Sequence, residues 1–169
     1  MKGLIINHDM NCRNIHRMFP NCDEVFHSDF TLEITDNYDY FILSGGEINI
    51  SGEKDLILEK QFIKTTKKPI FGICLGMQII CICYNEILKD LGYRIKNKQI
   101  IKYDNTELNI TYDHGWYIDR VPNGFHGYIE NNILHWVRKD NILAFQGHPE
   151  LSISKDEITN IFKDLIYTI

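Results

Sequence analysis

A chain of 169 residues with 44% apolar and 24% charged side chains is ordinary for a globular protein and can bury about two-thirds of its unfolded surface. Its net charge of −5 argues against nucleic acid or an anionic membrane surface as a partner, and no stretch approaches the ~20 apolar residues of a membrane-spanning helix. Five cysteines, an odd number, and an opening whose apolar run is only Leu4-Ile5-Ile6 fit a reducing, cytoplasmic setting better than a disulfide framework.

In chain order, residues 3–6 read as a short buried strand ending at Asn7-His8-Asp9, and residues 14–19 as a turn or two of helix closed by Pro20. A second strand follows at 24–26, then a clearer one at 38–43 that runs into Ser44-Gly45-Gly46. Apolar residues at 56, 57, 58, 62 and 63 fit one face of a helix over 53–66. A strand at 69–74 leads into an apolar helix that is expected to reach about Leu91, with Gly92 as its stop. Partial alternation between Tyr93 and Ile118 predicts antiparallel hairpins at a sheet edge. Another such pair spans 125–129 and 133–137, turning at Glu130-Asn131-Asn132. After a buried strand at 142–145, apolar positions 158, 161, 162, 165 and 166 mark an amphipathic helix over 154–169, with Ser154 and Glu157 as a capping box. Strands alternating with helices predict an α/β fold: an open, mostly parallel sheet flanked by helices, with an antiparallel edge. No repeat, low-complexity tract or linker interrupts it, so residues 1–169 read as one domain.

The chemistry concentrates at Gly72-Ile73-Cys74-Leu75-Gly76-Met77-Gln78. A strand, a Gly-x-Cys-x-Gly turn and a helix form the nucleophile-elbow arrangement, with sulfur in place of a serine hydroxyl. The glycines make room for a sharp turn, and the positive end of the helix dipole favours a reactive thiolate. Near the other end, Gln146-Gly147-His148-Pro149-Glu150 follows a strand. His148 can take the thiol proton while Glu150, two residues on, orients its ring. His-x-Glu alone is weak evidence; beside an elbow it completes a nucleophile, base and orienter.

At these residues the sequence resembles the class I (triad) glutamine amidotransferase family, whose first glycine loop is matched by Leu43-Ser44-Gly45-Gly46. The resemblance spans nearly the whole chain and implies a flavodoxin-like sheet and a Cys74–His148–Glu150 triad. It further implies a γ-glutamyl thioester on Cys74, an oxyanion hole from the N–H groups of Gly46 and Leu75, and no cofactor. For the amino-acid end of glutamine it points to Gln78, Gly45 and the segment His114-Gly115-Trp116; His114 reads equally well as a supporting histidine. Two departures stand out. Glu47 follows the second glycine where relatives often have proline, implying a more mobile loop. Gly147 precedes His148 where they carry a bulky residue, implying a missing pocket wall or added backbone freedom, and with either a wider site or one ordered by a partner. The chain is also short for the family.

The remaining polar residues read plainly. Cys81-x-Cys83 sits in an apolar helix with no second pair, so it is read as packing and no metal site is expected. Cys12 and Cys22 read as free thiols near the surface, His8 and His16 as histidines without partners, Trp136 as a packed strand residue, and Lys64 to Lys68 as a solvated helix end. Three functions fit. The first is a glutaminase subunit supplying ammonia to a separate synthase: the cysteine heptapeptide recurs in the imidazole glycerol phosphate synthase glutaminase, while Ser-Gly-Gly and Asp-His-Gly lean to the GMP synthase type. The second is a stand-alone γ-glutamyl hydrolase acting on an amide or conjugate. The third is a non-enzymatic regulatory subunit on the same fold.

Overall fold

The computed structural model describes residues 1–48, 50 and 56–168. Four apolar runs become adjacent parallel strands: β1 (Gly3–His8), β3 (Tyr40–Gly46), β4 (Ile70–Ile73) and β9 (Ile142–Phe145), with β2 (Cys22–Phe26) parallel outside β1. An antiparallel pair, β8 (Ile133–Lys139) and β7 (His126–Glu130), extends the far edge. The order β2-β1-β3-β4-β9-β8-β7 makes a seven-stranded sheet. Its parallel part has the flavodoxin-like order, with the crevice at the carboxyl ends of the strands.

The four central strands are buried on both sides, and their residues alternate between two cores. Leu4, Ile6, Phe41, Leu43 and Ile70 face helices α2 (Ile57–Thr65) and α3 (Leu75–Cys83). Ile5, Ile42, Phe71, Ile73 and Phe145 face α1 (Arg13–Met18) and α4 (Lys155–Thr168). α3 is buried almost all round because its residues are apolar on every side.

Three expectations change. α3 stops at Cys83 and does not run to Leu91. Asn85 adopts a left-handed φ of 69°, its N–H donates to Ile82 O, and the Glu86 N–H donates to Cys81 O. This is a Schellman stop, with asparagine in the position glycine usually takes. Gly92 instead serves an irregularity within β5 (Lys89–Tyr103). That strand and β6 (Thr106–Tyr117) form a separate two-stranded sheet, not the edge of the large one. Ile101, Tyr103, Leu108, Ile110 and Tyr112 press against Trp136 and Phe145, so the hairpin covers a face, where it buries its apolar side. At the start of α4 the Ser154 hydroxyl accepts the Asn109 N–H at 2.9 Å, tying the helix to β6 rather than closing a capping box with Glu157. The beginning of the helix expected over 53–66 lies partly outside the described residues.

Candidate active site

Cys74 stands between β4 and α3 with φ 49° and ψ −102°. Such a conformation costs a non-glycine residue about 1–3 kcal/mol and persists only where its surroundings fix it. Here the Cys74 N–H donates to Phe145 O at 2.8 Å, and the Gln78 N–H donates to Cys74 O at 3.1 Å. The turn is tight: a β-carbon at Gly76 would overlap the Leu43 carbonyl. The sulfur therefore projects at the crevice end of the sheet. It opens on a cleft of about 970 Å³ that is also lined by Gly46, Leu75, Gln78, His114, Gly115 and Trp116. Cys74 and those six sequence-derived candidates thus line one cleft; Gly45 packs between Cys74 and His148 behind it, and His148 and Glu150 do not line it.

His148 follows β9, the strand next to β4. Its backbone N–H donates to Thr111 O at 2.7 Å, which bridges it to β6. Its Nδ1 lies 2.8 Å from Glu150 Oε1, and both side chains are nearly buried. Burial alone lowers the His148 pKa, but the Cys74 sulfur and the Glu150 carboxylate more than offset that, and it is pushed up to about 10. A cysteine sulfur, an imidazole that can exchange a proton with it and an orienting carboxylate can together carry out nucleophilic attack and proton transfer.

Gln78 lines the cleft but is itself engaged. Its Nε2 donates to Trp116 O at 2.9 Å and to Gln146 Oε1 at 3.1 Å. Gln146 in turn points its Nε2 at Cys74 Sγ, 3.7 Å away. The His114 Nδ1 donates to the same Trp116 carbonyl at 2.8 Å, and burial lowers the pKa of this imidazole. The chain Cys74–Gln146–Gln78–Trp116–His114 fixes the cleft wall. Gln146 had no assigned place in the sequence reading. The sequence offers only an uncharged polar residue between a strand and the His-Pro-Glu turn; its complete burial belongs to the fold.

Gly147 does not open the site. A β-carbon there would overlap Ile110 and lie 2.8 Å from Thr111 O, so the space expected to be vacant is filled by β6. The glycine lets β6 approach closely enough for the Thr111–His148 bridge. The γ-glutamyl hydrolase reading, which shares the same triad, loses the support it drew from open space at Gly147.

Other polar residues also differ from expectation. Cys12 is buried, and burial pushes its thiol up to about 12. His16 pairs with Glu24 at 2.9 Å, and the Lys68 ammonium donates to the carbonyls of Thr35 and Tyr38 at 2.8 Å rather than standing in solvent. His8, expected to be unpartnered, is fully buried and lies 2.9 Å from Glu59. Cys81 and Cys83, by contrast, pack in the core as expected, and Trp136 is a packed residue of β8 as expected. Among the described residues no His, Cys, Asp and Glu cluster has the geometry to hold a metal ion, and no helix is long and apolar enough to cross a membrane.

The profile of the family described as "Glutamine amidotransferase class-I" matches residues 4–168. Similar sequences include a GMP synthase [glutamine-hydrolyzing] of Wolbachia pipientis wMel, 29% identical over 82% of this chain and 31% of that protein. A carbamoyl phosphate synthase small chain of Wigglesworthia glossinidia brevipalpis is 32% identical over 77% of this chain and 37% of that one. The chain therefore spans about a third of the length of these relatives. The glutamine amidotransferase-like protein L716 of Acanthamoeba polyphaga mimivirus is 31% identical over 88% of this chain and 77% of its own length. Among solved structures, a glutamine amidotransferase of Thermotoga maritima shares the fold with a TM-score of 0.70 at 18% identity, covering 99% of this chain and 89% of that one.

Proposed function

The chain belongs to the class I glutamine amidotransferase family, and from that premise we propose that residues 1–169 form one glutaminase domain that hydrolyses the side-chain amide of glutamine and passes the ammonia to a synthase. The observation that carries the proposal is the strained Cys74 elbow standing beside a His148–Glu150 pair just past the end of the next strand.

In this reading the Cys74 thiolate attacks the amide carbon, and the carbonyl π electrons move onto oxygen. The backbone N–H groups of Leu75 and Gly46 receive that oxyanion, each donor being worth about 3 kcal/mol in the transition state. His148, protonated at rest, gives its proton to the departing nitrogen, and ammonia leaves a γ-glutamyl thioester. His148, now neutral, takes a proton from water as its oxygen attacks the thioester. Collapse expels the thiolate, releases glutamate and restores the imidazolium. Glu150 keeps the ring oriented through Nδ1. Gly45 backs Cys74 and His148, while Gln78, His114, Gly115 and Trp116 shape the end of the cleft that takes the amino-acid group.

Free ammonia is of little use unless it is handed on, and the relatives' names supply the class of acceptor: a GMP synthase or a carbamoyl phosphate synthase. The reaction as proposed needs no cofactor and is assigned to the cytoplasm.

The test is glutamate release by the purified chain, alone and with a panel of γ-glutamyl conjugates. Glutamine is the expected substrate, and Cys74→Ala is expected to abolish turnover. A conjugate turned over well ahead of glutamine would replace the synthase-supplying role with a hydrolase. No labelling of Cys74 by a chloroketone analogue of glutamine would remove the glutaminase reading altogether.

A further inference from the structure

We propose that His8 and Glu59 are a buried positioning pair that fixes the Ser44–Gly45–Gly46 turn, and with it the oxyanion-binding backbone, against the Cys74–His148 corner. This rests on the glutaminase reading for its consequence in catalysis. The geometry itself stands apart from it.

His8 closes β1 and is wholly buried; Glu59, on α2, is 1% exposed. The His8 Nε2 lies 2.9 Å from Glu59 Oε2, and Nδ1 lies 3.1 Å from Ser44 O. Ser44 is held a second time, because its Oγ accepts the His8 backbone N–H at 2.9 Å and donates to Gly45 O at 2.7 Å. A β-carbon at Gly46 would overlap the His8 carbonyl, so the turn lies directly on the His8 backbone.

The donors and acceptors fix the proton count. The Ser44 hydroxyl also lies 3.4 Å from Nδ1, but its one proton is given to Gly45 O at 2.7 Å; the Ser44 carbonyl, 3.1 Å away, can only accept, so Nδ1 carries the hydrogen. Across the Nε2–Oε2 contact there must then be one more proton, on the imidazole or on the carboxyl. The pair is either imidazolium with carboxylate or neutral imidazole with carboxylic acid. Both versions present the same donor to Ser44. The His27 ring stacks on His8 at 5.9 Å, and the other Glu59 oxygen has no partner among the described residues.

Stability is a poor explanation for such a pair. Two apolar residues of similar volume usually stabilise a core as well or better. What the pair supplies is direction: apart from the contact with Glu59, the His8 backbone N–H and ring nitrogen are both spent on Ser44. From there the path to the reacting atoms is short. A β-carbon placed on Gly45 would stand 3.1 Å from His148 Cε1 and 3.5 Å from Cys74 Cβ. A shift of Ser44 would carry the next two peptide N–H groups away from the place where the oxyanion forms.

The experiment compares two alkylations of Cys74. A chloroketone analogue of glutamine places its carbonyl oxygen among the oxyanion donors, whereas iodoacetamide reacts by displacement at carbon and needs none. In His8→Leu/Glu59→Leu, chloroketone labelling should fall at least about tenfold, part of the roughly hundredfold or more that a wholly lost oxyanion donor costs. Iodoacetamide labelling and the thermal midpoint should stay near wild type. Glu59→Gln should recover chloroketone labelling to within about threefold, because its amide can donate to a neutral His8 Nε2 while Nδ1–H still serves Ser44. The amide resonances of Gly45 and Gly46 should move in the double variant and stay in Glu59→Gln. Unchanged chloroketone labelling in the double variant, or equal loss with both reagents, would overturn the proposal. If wild type itself ignores the chloroketone while reacting with iodoacetamide, the glutaminase reading fails. The two amide resonances then decide the positioning claim alone: unmoved, they overturn it.

Discussion

Two histidine–glutamate pairs flank the same glycine turn, and they differ in what the second ring nitrogen does. In His148–Glu150 the contact is 2.8 Å and the partners are two residues apart; in His8–Glu59 it is 2.9 Å across 51 residues. Each is buried. His8 spends its other nitrogen on the Ser44 carbonyl, so it has no site left from which to exchange a proton with a substrate. His148 keeps its other nitrogen near the Cys74 sulfur, whose influence is felt in its raised pKa. The same two side chains thus make a fixed strut in one place and a proton carrier in the other. Burial and charge do not separate the roles; the free valence does.

The sharpest way to break that contrast is at the sulfur and its base. Cys74→Ala should abolish glutamine turnover with the fold intact, and His148→Gln should lower kcat by at least about a thousandfold, the usual scale for a member of such a unit. Glu150→Gln should cost less, because an amide still holds the ring although it no longer balances the charge. Steady-state glutamate release measures all three. Retained turnover in Cys74→Ala, or a Glu150→Gln loss equal to that of His148→Gln, would remove this division of roles between nucleophile, proton carrier and orienter.

A smaller effect is expected at Gly147, which decides how closely β6 approaches the proton-carrying pair. Ala at this position must push against Ile110 and the Thr111 carbonyl. Such overpacking costs about 1–3 kcal/mol, read as a lower urea midpoint. The Thr111–His148 bridge should loosen with it, so kcat should fall together with stability. A Gly147→Ala variant of full stability and altered preference for bulky γ-glutamyl conjugates would instead restore the idea that this glycine widens the pocket.

These two pairs also mark what a sequence can reveal. The elbow and the His148–Glu150 pair are legible because their geometry is local: seven consecutive residues specify the strand, turn and helix start, and a two-residue spacing brings ring and carboxylate together. The central strands were equally plain as apolar runs between turn residues. His8 and Glu59 meet only because β1, β3 and α2 stack in that order, and no periodicity in either segment announces it. The hairpin β5–β6 was readable as strands from its alternation, but face or edge is decided by what its apolar side can cover. The end of α3 was misplaced for a chemical reason: Asn85 can take the left-handed cap that glycine usually supplies, so the glycine farther on drew the boundary too late. Gln146 escaped because a polar residue at a strand end looks solvated until the strand is known to end inside the protein.

The finest effect is in pH, and it separates the two pairs without loss of either fold. In the proposed mechanism His148 must hold a proton to release ammonia, and its pKa is pushed up to about 10. The protonated form therefore persists through neutral pH, and kcat/KM should decline only as pH rises through that value. Glu150 is one of the groups that raise it, so Glu150→Gln should move the alkaline limb downward, by about one unit or more, as for a lost neighbouring charge. Glu59→Gln removes a carboxylate from a pair that never meets the substrate, and its limb should stay where wild type has it. A pH profile of residual activity in the two variants makes the comparison directly. If both limbs move together, the charge of Glu59 is felt at His148, and the strut is part of the proton-transfer machinery rather than its scaffold.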